Sequence, residues 1–137
     1  MNLRYLILLY CIVCLLGCNN PQNLRPVETE VYESDSLLEA SPAHLNLGVV
    51  SRECKELPFC FSLKNKSNKA VAINKVDVTC GCVVIDSYPE ILFARKSDFL
   101  RGRLRIANQH GYISKPIFVC FNKDGLLMLR VQCKIIE

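Results

Sequence analysis

The chain has 137 residues, half of them apolar, and a formal net charge of +4 at pH 7. This composition excludes an intrinsically disordered chain and a collagen-like one. The length allows one domain, since domains usually contain about 100–200 residues. The chain has nine cysteines, two methionines and no tryptophan. So many cysteines raise the question of whether the protein resides in an oxidising or a reducing compartment.

The first eighteen residues have the pattern of an export signal. Arg4 precedes an unbroken apolar run from Tyr5 to Leu16. Twelve residues span about 18 Å as a helix, whereas the hydrocarbon core of a bilayer is about 30 Å thick. The run is therefore too short for a transmembrane helix and fits a signal peptide. It ends in Leu15-Leu16-Gly17-Cys18, which resembles the lipobox of bacterial lipoproteins.

This resemblance implies that residues 1–17 are removed and that Cys18 carries a diacylglyceryl group. Several acyl chains, at about 0.8 kcal/mol per buried CH2, would anchor the protein to a bilayer. The alternative is an ordinary signal peptide followed by a chance cysteine. Asn19 stands where an inner-membrane retention signal would have Asp, and the acidic cluster of Bacteroidetes surface lipoproteins is missing after Cys18. We therefore expect a lipid-anchored cell-envelope protein of the Bacteroidetes type, on the periplasmic side of the outer membrane.

Residues 18–41 are predicted to be the lipidated cysteine and a flexible linker. The linker contains two prolines, and its five acids against one base give a net charge of −4. Like charges extend such a segment, which would hold the domain off the membrane. Asp35-Ser36-Leu37 also resembles the O-glycosylation sequon of Bacteroidetes, with a chance match as the alternative.

Residues 42–137 are predicted to form one domain with 15 basic and 8 acidic side chains, a net charge of +7. Apolar residues alternate with polar ones, which is typical of half-buried strands. The predicted strands are 44–50, 59–64, 70–77, 78–85, 90–93, 100–106, 113–121 and 126–136. The clearest hairpin places Phe121 opposite Leu126, which separates Cys120 from Cys133 too far for a disulfide. An all-β sandwich is therefore expected.

Four segments carry a family resemblance: Leu45-Asn46-Leu47-Gly48, residues 61–67 (FSLKNKS), Val71-Ala72-Ile73, and Val78-Thr79-Cys80-Gly81-Cys82. Together they resemble the DUF1573 family of bacterial proteins. The resemblance implies an immunoglobulin-like β-sandwich of about seven antiparallel strands, related to major-sperm-protein and Hydin-type modules. The family usually has Thr after the second cysteine and a Pro-Gly turn before the next long strand. This chain has Val83 and residues 94–97 (ARKS) at those positions.

The Cys80-Gly81-Cys82 motif has three interpretations. A disulfide between the two cysteines would be a candidate redox site. Two thiolates could instead bind a soft ion such as Cu(I) or Zn, although His44 and His110 have no ligand-type spacing. The third interpretation is a structural kink between two strand halves. We therefore predict no metal site and no cofactor, and keep both cysteines as candidates.

The predicted strand 100–106 places Arg101, Arg103 and Arg105 on one face. Such a face is a candidate site for an anionic partner, with an ordinary solvated surface as the alternative. Nucleic acid is not expected as a partner, because no aromatic residues are interleaved with the arginines.

The sequence lacks two common motifs of catalytic sites. No Ser or Cys occupies a nucleophile elbow, and no glycine-rich loop could hold a phosphate. We therefore predict a protein that is not an enzyme, with an immunoglobulin-like module that has a binding or structural role. Its partners would be the membrane, through the lipid anchor, and a protein of the cell envelope. The alternative is a periplasmic thiol/disulfide or soft-metal-binding protein that acts through Cys80 and Cys82.

Overall fold

A computed structural model describes residues 37–137, which form nine β-strands and no helix. The strands are β1 (Leu38–Ser41), β2 (His44–Ser51), β3 (Glu56–Asn65), β4 (Val71–Val78), β5 (Val83–Ser87), β6 (Ile91–Leu92), β7 (Ser97–Arg105), β8 (Gly111–Phe121) and β9 (Gly125–Ile136). They form a four-stranded sheet of order β1-β3-β7-β5 and a five-stranded sheet of order β2-β9-β8-β4-β6. The predicted all-β sandwich is confirmed.

The core lies between the two sheets and is built by the alternation of the strands. In β3, Phe59, Phe61 and Leu63 are buried while the residues between them face outward. The long strands β7, β8 and β9 alternate in the same way, and most of their buried positions are aliphatic. Removal of this apolar surface from water is the main favourable contribution to folding.

The domain begins four residues earlier than predicted. Leu38–Ser41 forms β1, which pairs antiparallel with β3, so these residues are not linker. Leu38 is buried in the core. A strand of four residues is too short to show a hydrophobic period, and only its pairing with β3 identifies it. The strands are also not all antiparallel, because β2 pairs with β9 in parallel.

The predicted register of the β8–β9 hairpin is wrong by one residue. Phe121 pairs with Gly125, so the turn contains three residues, and Asn122 takes a left-handed conformation with φ of 49°. Cys120 lies opposite Leu126, and Cys133 lies opposite Ile113. The two cysteines are therefore about 23 Å apart along the ladder, at about 3.3 Å per residue. Both are free thiols, and the exclusion of a disulfide between them holds in the corrected register.

Asn65, at the end of β3, joins several loops at one end of the sandwich. Its side chain is fully buried, and its Nδ2 donates to the backbone carbonyls of Lys69, Leu92 and Phe93 at 2.7, 2.9 and 3.2 Å. Its Oδ1 accepts hydrogen bonds from the backbone N–H and the hydroxyl of Ser67. The resembling segment 61–67 therefore contains a buried residue, Asn65, that anchors the β3–β4 loop to β6.

The turn before β7 explains one departure from the family pattern. The N–H of Lys96 donates to the carbonyl of Phe93 at 3.1 Å, which makes Ala94 and Arg95 the central residues of the turn. Arg95 has φ of 63°, a conformation that glycine adopts most easily. Ala94 and Arg95 thus occupy the positions that Pro and Gly favour in such a turn.

Candidate functional site

The Cys80-Gly81-Cys82 motif lies in the crossover between the two sheets. β4 of the five-stranded sheet ends at Val78 and β5 of the four-stranded sheet begins at Val83, so four residues connect them. Within this connection Cys80 and Cys82 form a disulfide with a Cα–Cα distance of 5.2 Å. A Cβ added at Gly81 would meet no atom within 4 Å, so the middle residue faces open space.

Backbone hydrogen bonds hold the disulfide loop against both neighbouring strands. The N–H of Val83 donates to the carbonyl of Cys80 at 3.1 Å, and the N–H of Arg105 donates to the carbonyl of Cys82 at 2.7 Å. Both cysteines are half-buried, and Cys82 packs against the core. The disulfide therefore stabilises the crossover and remains partly accessible to solvent.

The chemistry of this pair depends on its oxidation state. As a disulfide it can exchange with a thiolate, but it offers no thiolate to a metal ion, and thiolates are the form of cysteine that binds metals. In residues 37–137 no three His, Cys, Asp or Glu side chains come together in a way that could hold a metal ion. His44 lies in β2 and His110 just before β8, and within residues 37–137 neither completes a group of three possible metal ligands with Cys80 and Cys82.

The four remaining cysteines of the described part are free and differ in exposure. Cys54 and Cys60 are exposed, Cys120 is half-buried and Cys133 is buried. Burial raises the pKa of the Cys133 thiol, because desolvation disfavours the thiolate. Cys133 is therefore the least reactive of these thiols.

Arg101, Arg103 and Arg105 lie on the outer face of β7, and the residues between them, Gly102 and Leu104, are buried. Two of the three, Arg103 and Arg105, form ion pairs with carboxylates from neighbouring strands. This arrangement differs from the open cationic face that the sequence suggests.

Arg103 lies at the centre of an ion-pair network across three strands. Its guanidinium binds Asp86 of β5 at 2.8 Å and Glu56 of β3 at 3.0 Å, and Arg105 binds the other oxygen of Glu56 at 3.0 Å. Hydrogen bonds from Arg105 and Arg103 lower the pKa of Glu56, and those from Arg103 lower the pKa of Asp86. These partners are separated by 17 to 49 residues in sequence, so no local pattern identifies them.

Arg101 has a different environment. No carboxylate of residues 37–137 forms an ion pair with it. Its guanidinium carbon lies 5.0 Å from the ring centroid of Phe99, an outward neighbour on β7, in a cation–π contact. Arg101 also pairs across the sheet with the exposed Cys60 of β3. Both residues line a shallow surface groove of about 410 Å³, which Asp86 and Ser87 of β5 also line.

The predicted lipidation site and most of the predicted glycosylation sequon lie outside the described residues. Cys18 and most of the Asp35-Ser36-Leu37 sequon precede residue 37. No helix between residues 37 and 137 has the length and apolar character needed to cross a bilayer.

The family described as a protein of unknown function (DUF1573) matches residues 38–135. The chain belongs to the DUF1573 family. The match begins at the first residue of β1 and ends within β9, so it covers the whole described sandwich. No curated protein matches the chain significantly.

Solved structures share the fold of this DUF1573 domain at low sequence identity. A protein of unknown function from Porphyromonas gingivalis W83 has a TM-score of 0.61 at 13% identity over 72% of this chain and 46% of its own. PapD-like domain 7 of human CEP192 has a TM-score of 0.61 at 10% identity over 74% and 87% of the two chains. WR4, a member of the MSP family from C. elegans, has a TM-score of 0.51 at 12% identity over 74% and 99%.

These likenesses establish an immunoglobulin-like sandwich of the MSP and PapD-like type. The chain spans about half the length of the P. gingivalis protein that it matches. The other two matches cover most of a single domain. At such identities they describe the fold of the DUF1573 domain and not its activity.

Proposed function

We propose that the protein is anchored in the cell envelope through acylated Cys18 and that its DUF1573 domain is a non-catalytic binding or structural module. The lipobox-like sequence that ends at Cys18 is the observation that carries this proposal. A disulfide at Cys80 and Cys82 fits an exported protein, because disulfides persist in oxidising compartments. The proposed location is the outer membrane, facing the periplasm.

The edge strands of the two sheets are poorly suited to pairing with a strand of another protein. β1 has four residues and β6 has two, while β2 and β5 contain register shifts near Gly48 and Asp86. Short strands and bulges are the usual protection against pairing with another chain. This protection argues against strand addition as the main binding mode and favours the sheet faces and end loops.

Anchoring can be tested by expression of the full chain in a bacterium with two membranes. We expect an acylated protein that begins at Cys18 by mass spectrometry and co-sediments with outer-membrane markers. A Cys18→Ser variant should lose both the acyl mass and the membrane association, while a Cys14→Ser variant should keep them. A product that still begins at Met1, without acyl groups, would contradict the proposal.

The second candidate is a thiol/disulfide protein that acts through Cys80 and Cys82. The half-exposed disulfide of the crossover favours it. In the exchange, a dithiol of a partner protein would be oxidised to a disulfide, and the Cys80–Cys82 bond would be reduced to two thiols. The freed thiols could then bind a soft ion such as Cu(I). The test is incubation of the protein with a reduced dithiol peptide. The wild type should oxidise the peptide to its disulfide, and a Cys80→Ser/Cys82→Ser variant should not; equal oxidation by both proteins would contradict this candidate.

A further inference from the structure

One end of the sandwich carries most of the basic loop residues. Three loops lie there: residues 66–70, 93–96 and 122–124. They contain one acid, Asp124, and five exposed bases, which give a net charge of +4. Exposed Glu90, whose carbonyl accepts a hydrogen bond from Ile73, lies next to these loops and lowers the local net charge to +3. The five bases are Lys66, Lys69, Arg95, Lys96 and Lys123. The loops at the other end, residues 52–55, 79–82 and 106–110, have a net charge of +1. We call the first three loops the basic end.

Hydrogen bonds show that the three loops of the basic end are adjacent. The N–H of Arg95 donates to the carbonyl of Ser67 at 3.2 Å, which joins the first two loops. The N–H of Asn122 donates to the carbonyl of Ala72 at 2.8 Å, and Ala72 pairs with Ile91 beside the second loop. The basic side chains are thus presented by one connected surface, with buried Asn65 beneath it.

Exposed apolar side chains accompany the bases. Phe93, in the loop that follows β6, is 67% exposed, and Leu37 is 40% exposed. Ile91 and Leu126 are more than half exposed at the same end. Bases around exposed Phe and Leu side chains are the combination that binds the interface of an anionic bilayer.

The chain also enters the domain at the basic end. The N–H of Lys66 donates to the carbonyl of Leu37 at 2.8 Å, immediately before β1. Cys18 lies nineteen residues before Leu37 in the sequence. Nineteen residues can span at most about 65 Å, so an anchor at Cys18 keeps this end within reach of the bilayer.

We infer that the basic end docks on the anionic surface of the bilayer that holds the lipid anchor, in place of the stand-off that the acidic linker suggests from the sequence. The inference rests on the proposed acylation of Cys18. Each Lys or Arg near an anionic surface changes the binding equilibrium by a factor of about five. Docking would hold the domain against the membrane by the basic end and leave the Cys80–Cys82 crossover, with the loops of the other end, facing away from it.

The test uses the acylated protein in vesicles, with Phe93→Trp as a reporter, because the chain has no tryptophan of its own. Brominated lipids quench a tryptophan that enters the interface. We expect quenching in vesicles of phosphatidylcholine with phosphatidylglycerol, loss of quenching at high salt, and little quenching in phosphatidylcholine alone. Lys66→Gln/Lys69→Gln/Lys96→Gln should weaken docking by about a hundredfold, at a factor of about five for each charge.

Arg52→Gln/Lys55→Gln/Lys134→Gln is the matched control, since it removes the same charge from exposed positions outside the basic end. It should keep the quenching. Equal loss in both triple variants, or equal quenching in neutral and anionic vesicles, would overturn the inference. Mass spectrometry of the N-terminal peptide tests acylation separately from docking. A Cys18 without acyl groups would contradict the proposed lipid anchor but would not contradict docking of the basic end. Docking of the unacylated protein is then read from co-sedimentation of the same variants with vesicles.

Discussion

The side-chain amide of Asn65 donates a hydrogen bond to the backbone carbonyl of Leu92 over 2.9 Å, between residues that are 27 positions apart in sequence. This bond joins the end of β3, in one sheet, to β6, in the other. The same amide binds two further carbonyls, and its oxygen accepts from Ser67. Asn65 therefore holds together the loops of the basic end.

Replacement of Asn65 should destabilise the domain strongly. Asn65→Ala leaves buried carbonyls without donors, at a cost of about 1–3 kcal/mol for a buried unsatisfied group. We expect the free energy of unfolding to fall by about that amount in urea denaturation followed by circular dichroism. Asn68→Ala, which removes only an exposed bond to Arg95, is the control and should change it by less than about 0.5 kcal/mol.

Gly102 and Gly81 should respond differently to the same substitution. A Cβ at Gly102 would lie 2.5 Å from both the ring of Phe59 and the carbonyl oxygen of Val84. Overpacking of this kind costs about 1–3 kcal/mol, so Gly102→Ala should lower the unfolding midpoint in urea. Gly81→Ala enters open space and should be nearly neutral. Equal stability of the two variants would contradict the packing of Phe59 over Gly102.

The cysteines should react with an alkylating agent in a definite order. Cys54 and Cys60 are exposed and should be modified first in the native protein, followed by half-buried Cys120. Cys133 should react only after unfolding, because it is buried and its pKa is raised. Cys80 and Cys82 should react only after reduction. Peptide mass spectrometry at increasing times gives this order, and early modification of Cys80 without reductant would contradict it.

Loss of the disulfide should cost little stability. In the chain-entropy model a loop of three residues contributes about 1.5 kcal/mol, less than the 3 kcal/mol of a fifteen-residue loop. Cys80→Ser/Cys82→Ser should therefore fold and lose about that amount in urea denaturation. Cys54→Ser/Cys60→Ser, which removes two exposed free thiols, should leave the midpoint unchanged.

The ion-pair network should contribute a pH-dependent part of the stability. Because Arg105 and Arg103 lower the pKa of Glu56, and Arg103 lowers that of Asp86, the contribution is present above the unfolded pKa values, near 4. It should disappear as the pH falls through the lower folded values. The difference in melting temperature between wild type and Glu56→Gln/Asp86→Asn should thus be positive at pH 7 and vanish at strongly acidic pH.

The control for this comparison is Glu90→Gln. Glu90 makes no ion pair within residues 37–137, so its replacement should leave the pH dependence unchanged. Because the network is exposed, high salt should reduce the wild-type advantage at pH 7. A difference that is independent of pH and salt would show that Arg103 and its partners act through packing alone.

The sequence by itself determined the β class, most strand positions, the shared face of the three arginines and the break at Cys80-Gly81-Cys82. These features depend on the two-residue period of a strand and on local turn residues, both of which are visible within a short window. The resemblance to DUF1573 came from the same kind of local motif.

Only the tertiary structure decided which strands pair and what each side chain meets. β1 is identified only by its pairing with β3. The three-residue turn that begins at Asn122 gives the β8–β9 hairpin a register one residue away from the predicted one. The partners of Arg103 and the carbonyls bound by Asn65 come from distant parts of the chain. A local pattern sets which face a residue occupies, but the neighbour across that face is chosen by packing of the whole sandwich.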